Sequence, residues 1–191
     1  MCPIKTITAE CMTTKYNAGI HHRRSIRLKH YNYRSEGFYF ITICCKNKEC
    51  LFGHIINQQM QLNDLGNYVK QCWENIPMFF PQVRIDEFVI MPNHLHGIIE
   101  IIEQVKGKCN LPLQSRATQL PQKGTSQTIG SIVRGFKAGV TSWARKNSEI
   151  FDVWQRNYYE HIIRDEKSYL QIYEYIQNNP ILWEQDQLYV D

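Results

Sequence analysis

The chain has 191 residues and a formal net charge of +4, with 43% hydrophobic and 21% charged residues. That length and composition exclude a wholly disordered chain and suit one well-buried domain. No apolar run approaches the roughly 20 residues that span a bilayer, and the N-terminus carries no apolar signal core, so a soluble cytoplasmic protein without a membrane partner is expected.

Residues 1–20 have no useful periodicity and read as a flexible tail ahead of a single domain over 21–191. Residues 21–34 carry Arg23, Arg24, Arg27, Lys29 and Arg34 with no acid, mixed with histidines and tyrosines. Such an arm can neutralise phosphates while its rings stack on bases. The modest overall charge permits a polyanionic partner without demanding one. Cys2, Cys11, Cys44, Cys45, Cys50, Cys72 and Cys109 are odd in number and form no Cys-x-x-Cys pair. Reduced thiols therefore fit better than a disulfide framework or a zinc knuckle.

Gly37–Lys46 is rich in aromatic and β-branched residues and reads as a strand, and residues 51–62 as a short hairpin. Asn63 or Asp64 can cap a helix running to about Asn75, with Pro77 beyond its end. Its buried stripe is Leu65, Val69, Cys72, Trp73 and Ile76. Val83–Met91 and His94–Ile102 read as an antiparallel pair turning at Pro92-Asn93, and about 104–126 as a mobile loop.

Thr128–Asn147 reads as a helix with an apolar face of Ile129, Ile132, Val133, Phe136, Val140 and Trp143. Its basic face holds Arg134, Lys137, Arg145 and Lys146. A strand at Tyr159–Ile163 and a helix at Asp165–Asn179, stopped by Pro180, complete the series. The order suits an α+β fold in which helices flank one mostly antiparallel sheet.

Two sets of residues can carry chemistry. His94 and His96 are two apart on a strand, so they share a face and can chelate one cation. On the last helix Tyr169, Ile172, Tyr173 and Ile176 form the core stripe. Tyr175 lies about 110° from the centre of that stripe and Asn179 about 70°, at roughly 100° per residue. Four apart, they stack on one face beside the core, where a hydroxyl and an amide oxygen can reach a cation or a substrate. Tyr158, Tyr159 and His161 read as strand core and sheet surface.

These motifs resemble the single-tyrosine HUH transposases, and within them the REP-associated tyrosine transposases. The resemblance rests on Arg23–Leu28, Met91–Gly97, Ile132–Lys137, Val153–His161 and Tyr175–Pro180, and runs from about residue 21 to 184. It implies a ferredoxin- or RRM-like antiparallel sandwich. It implies that Tyr175 is the nucleophile, that His94 and His96 bind Mg²⁺ or Mn²⁺, and that Asn179 offers a third ligand. It further implies cleavage and rejoining of single-stranded DNA through a 5′-phosphotyrosine intermediate. The partner would be a hairpin of the repetitive extragenic palindrome type, held by Arg23, Arg24, Arg27, Lys29, Arg134 and Lys137, in a nucleoid-associated setting. A monomer and a homodimer both remain open. So do a domesticated protein that only binds DNA hairpins and a metal-dependent hydrolase of small phosphoesters.

Overall fold

The computed structural model describes residues 36–102 and 128–190. The tail at 1–20, the arm with Arg23, Arg24, Arg27 and Lys29, and the loop at about 104–126 lie outside the described residues.

The elements follow in the order β1 (Gly37–Cys44), β2 (Gly53–Ile56), β3 (Gln59–Leu62), α1 (Asp64–Glu74), α2 (Ile76–Phe79), β4 (Val83–Ile90), β5 (His94–Ile101), α3 (Ile129–Asn147), β6 (Tyr159–Ile163) and α4 (Glu166–Asn178). The three long helices begin at capping residues visible in the sequence. Asn63 Oδ1 accepts from the Gly66 N–H at 2.8 Å, and Asp165 Oδ1 from the Ser168 N–H at 2.8 Å. Thr128 and Ser131 cap each other reciprocally. Each cap satisfies a backbone donor that the first turn leaves without a partner.

Pro77 lies beyond the end of α1, as expected, and it also occupies the first turn of a short second helix, α2. There its missing N–H costs nothing, and its fixed φ suits the helix start. Ile76 is buried as expected, at the start of this second short helix.

The main sheet runs β4-β5-β1-β6, antiparallel throughout, and β2-β3 forms a separate hairpin. Leaving that hairpin aside, the sheet strands come in the sequence β1, β4, β5, β6 and lie in the spatial order fourth-first-third-second. With helices after β1 and after β5 this is the ferredoxin-like split βαβ arrangement. The chain is therefore an α+β protein with helices flanking an antiparallel sheet.

The two faces of the sheet have different roles. On one, Trp73 of α1 packs on Gly97 of β5 and meets Phe136 of α3 at 5.2 Å between ring centroids. A Cβ at Gly97 would stand 2.6 Å from Trp73 Cζ2, so the glycine after His94-Leu95-His96 is what lets the indole lie on the strand. On the other face, α4 packs Ile172 and Ile176 against Phe40, Ile98 and Ile163. Phe40, Thr42 and Cys44 of β1 stand opposite Ile98, His96 and His94 of β5 in the register. The histidine pair thus lies on the α4 face, at the end of β5 that follows the Pro92-Asn93 turn.

Candidate metal centre and tyrosine

His94 and His96 share one face and are both buried, with ring centroids 4.4 Å apart. The His96 ring stacks on Phe40 at 5.3 Å, and its Nδ1 lies 2.8 Å from Thr42 Oγ1. His94 Nδ1 lies 2.8 Å from Asn93 Oδ1. The outer nitrogens face α4. His94 Nε2 is buried without a hydrogen-bond partner, and so is Asn179 Oδ1. Tyr175 Oη is 3.1 Å from His96 Nε2.

The sequence placed Tyr175 and Asn179 beside the core stripe, and they lie there. Tyr175 is 44% exposed, with its ring edge-on to Phe40 and its hydroxyl turned inward to His96. Asn179, one turn on, is buried beneath it. Tyr169 and Tyr173, expected in the core stripe, are only half-buried. The Tyr169 hydroxyl donates to Asp86 Oδ2 at 2.5 Å, and that bond pushes its pKa up to about 12. Asp86 belongs to the irregular stretch of β4 between Ile85 and Phe88, so Tyr169 is engaged at the β4 edge of the sheet.

Asp186 completes the cluster and was not singled out in the sequence. After Pro180 a single 3₁₀ turn, Trp183–Gln185, folds the chain back. Trp183 is buried against His94 at 5.9 Å and Tyr189 at 5.3 Å between ring centroids. That packing carries the Asp186 carboxylate to the end of α4. Its Oδ2 accepts from Asn179 Nδ2 at 3.0 Å and from Tyr175 Oη at 3.3 Å, and its Oδ1 accepts from the Leu188 N–H at 2.6 Å. Ligand atoms of His94, His96 and Asp186 all lie within 4.8 Å of one another.

The electrostatics suit a cation. Burial pushes the His94 pKa down to about 3, with the Asn179 amide opposing and the Lys48 charge assisting. Burial also holds His96 well below its ordinary value, followed by the neighbouring His94, while Asp186 acts in the opposite sense. Both imidazoles are therefore neutral at pH 7, the state in which histidine binds metals. The Tyr175 phenol is raised, by burial first and then by the Asp186 carboxylate, so it is protonated at rest. Two imidazoles, an unpartnered amide oxygen and a carboxylate form a mixed N/O donor set without thiolate. That set fits a divalent ion with positions left for water or substrate oxygens, and lacks the thiolates of the usual closed structural zinc sites.

The cationic residues expected on α3 separate. Arg134 is exposed. Lys137 turns toward the segment before β6, where its Nζ donates to Gln155 O at 2.8 Å and to Asn157 O, and burial pushes its pKa down to about 8. Lys137, Arg145 and Lys146 line an open groove of about 550 Å³ whose floor includes Ala138, Thr141 and Ser142. Arg145 is shared with Asp152 at 3.8 Å. Tyr158 donates to Glu160 at 2.8 Å, and Tyr159 packs edge-on to Phe40 at 6.3 Å. No described helix is long and apolar enough to cross a membrane.

No protein-family model matches the chain. It is 99% identical over 180 residues to a Haemophilus influenzae protein described only as uncharacterized, covering 94% of this chain and all of that protein, so that likeness carries no function. A second Haemophilus influenzae protein, provisionally named a REP-associated tyrosine transposase, is 28% identical over 156 residues, 78% of this chain and 76% of that protein. Among solved structures, a REP-associated tyrosine transposase bound to a REP hairpin aligns with a TM-score of 0.56 at 18% identity, over 84% of this chain and 77% of that one. The resemblance first seen in the motifs thus extends to a relative's sequence and to a solved fold.

Proposed function

We propose that this chain, similar in sequence and in fold to REP-associated tyrosine transposases, is a metal-dependent single-stranded DNA endonuclease and strand transferase acting on hairpin-forming repeats. One observation carries the reading: Tyr175 Oη, the His94 and His96 imidazoles, Asn179 and Asp186 come together at the end of the sheet. A phenol beside a divalent-ion donor set is what nucleophilic phosphoryl chemistry requires, because a tyrosine with a pKa near 10 is a poor nucleophile unaided.

His94, His96, Asn179 and Asp186 would hold Mg²⁺ or Mn²⁺. When bound, such an ion polarises the scissile phosphate and stabilises the charge that develops on it. Tyr175 Oη attacks phosphorus, the P–O3′ bond breaks, and O3′ leaves with the bonding pair and takes a proton from water to become the 3′-hydroxyl. The Asp186 carboxylate, 3.3 Å from Oη, is placed to take the phenolic proton. The product is a 5′-phosphotyrosine that keeps the phosphodiester energy for rejoining. Phe40, edge-on to the Tyr175 ring at 6.2 Å, and Ile176, buried on the same helix, hold the nucleophile in place. The basic arm and Arg134 supply sequence-independent attraction for the DNA backbone.

The test is to incubate the protein with Mn²⁺ and an end-labelled hairpin bearing single-stranded flanks, then resolve it on a denaturing gel. A covalent adduct that disappears with chelator is the expected result. Hairpin binding without an adduct would reduce the protein to a DNA-binding relative. An adduct-free release of phosphate from a small phosphoester would point to the hydrolase alternative.

A further inference from the structure

We infer that Asn93 is a positioning residue that locks His94 into one tautomer and fastens the C-terminal stretch to the same site. The inference rests on the proposed metal reading of His94, and its first measurement is independent of that reading.

Asn93 is 1% exposed and sits at the second position of the Pro92-Asn93 turn. Asparagine often occupies turns because it tolerates a left-handed backbone, yet Asn93 is not among the residues with positive φ. The backbone therefore does not explain the residue, and the side chain does. Its Nδ2 donates to Lys48 O at 3.1 Å and to Leu188 O at 2.7 Å. Both amide hydrogens are used on carbonyl oxygens, which cannot donate, so the amide cannot flip. Oδ1 must then face His94 Nδ1 at 2.8 Å, and because Oδ1 only accepts, Nδ1 carries the proton. The proton on Nδ1 leaves Nε2 as a bare lone pair, and Nε2 is the buried atom without a partner.

The turn beneath this amide is held on both sides. The Cys45 N–H donates to Asn93 O at 2.8 Å, the Phe52 N–H to Pro92 O at 3.0 Å, and the Met91 N–H to His94 O at 2.8 Å. Asn93 thus joins the segment after β1, the start of β5 and the 186–188 stretch that delivers Asp186. The choice of an amide also matters. A carboxylate in its place would make His94 more basic and add a negative charge beside the ion. With Asn93 on His94 and Thr42 on His96, both histidines are oriented by neutral groups. Among the described residues Asp186 is then the one carboxylate in the cluster, which leaves cation charge for a phosphate to neutralise.

The experiment is ¹⁵N NMR of the imidazole rings in metal-free protein at neutral pH, with His94 assigned by comparison with His94→Gln. The expected spectrum shows His94 protonated at Nδ1 and bare at Nε2. Asn93→Ala should lose this single tautomer and bind Mn²⁺ about 10- to 100-fold more weakly. Asn93→Asp, which keeps an acceptor in place, should retain the Nδ1–H form. A wild-type His94 protonated at Nε2 overturns the inference whether or not any variant folds. So does an Asn93→Ala protein whose tautomer and Mn²⁺ affinity are both unchanged. If the wild-type protein binds no Mn²⁺ yet shows the Nδ1–H form, the metal reading fails while the orienting role of Asn93 stands.

Discussion

Tyr175 Oη and His96 Nε2 share a hydrogen bond of 3.1 Å, which ties the exposed face of α4 to the buried end of β5. The bond joins the residue proposed to attack phosphorus with a residue proposed to hold the ion. A lone pair at Nε2 serves one partner at a time. The single phenolic proton can go to Nε2 or to Asp186 Oδ2, 3.3 Å away, so it keeps an acceptor when His96 is engaged elsewhere.

Removing either histidine should abolish the response to metal. Saturating Mn²⁺ at about 100 times its Kd stabilises a folded protein by about 2.7 kcal/mol. The wild-type protein should show that rise in thermal or chemical denaturation, and His94→Ala and His96→Ala should not. Asn179→Ala should weaken the response less, because an amide oxygen is a weaker ligand and water can replace it. Equal stabilisation of all four proteins would remove the metal from these residues.

Acid should destabilise the metal-free protein through the same pair. Both histidines have folded-state pKa values below the ordinary 6.5, and His94 reaches about 3. Between those values the unfolded chain binds more protons than the folded one, so stability is full above pH 6.5 and is lost as pH falls toward 3. His94 alone should cost about 2 kcal/mol between pH 7 and pH 5, at about 1.4 kcal/mol per pH unit. Urea unfolding at the two pH values should show a smaller difference in His94→Gln than in wild type. The same difference in both proteins would contradict the assignment.

Gly97→Ala tests the far side of the sheet. The added Cβ would meet Trp73 Cζ2 at 2.6 Å and Phe88 Cβ at 3.1 Å. Overpacking of that kind costs about 1–3 kcal/mol. A loss of that size in the urea midpoint, with shifted tryptophan fluorescence, is expected. Unchanged stability would mean that the indole is not seated on the strand.

DNA binding should depend on salt, and the cationic residues should separate in how they contribute. Each phosphate neutralised on a single strand adds about −0.7 to the log–log salt slope. Replacing Arg23, Arg24, Arg27 and Lys29 by Ala should flatten the slope by about 2 if three of them touch phosphates. Arg134→Ala should flatten it by up to about 0.7 without loss of stability. Lys137→Ala should instead lower stability, since its ammonium is held by the Gln155 and Asn157 carbonyls. A full slope in the quadruple variant would leave the arm without a role in binding.

Much of this was legible in the chain. Runs of aromatic and β-branched residues located the strands, apolar residues at helical spacing and a cap at Asn63 or Asp64 located helices, and the His94-Leu95-His96 spacing placed two imidazoles on one face. Helical angles separated Tyr175 from Tyr169 and Tyr173, and Tyr169 packs half-buried against the core while its hydroxyl reaches Asp86. Asp186 was not legible because nothing periodic follows Pro180. Its position depends on Trp183 burying itself against His94, a contact between residues far apart in sequence. Asn93 read only as a turn residue, since hydrogen bonds to Lys48 and Leu188 leave no mark on local pattern. Lys137 read as part of a basic face and it does line a groove with Arg145 and Lys146, but its reach to the Gln155 and Asn157 carbonyls leaves no mark on local pattern.

The most direct test of the central claim is to locate the covalent bond. After reaction with Mn²⁺ and hairpin DNA, trypsin should release residues 168–191 as one peptide, because no Lys or Arg follows Lys167. Fragmentation should place the nucleotide phosphate on Tyr175 rather than on Tyr169, Tyr173 or Tyr189, and Tyr175→Phe should give no adduct while its fold changes by no more than about 1 kcal/mol. Phosphate on Tyr158 or Tyr159, or an adduct that persists in Tyr175→Phe, would contradict the account.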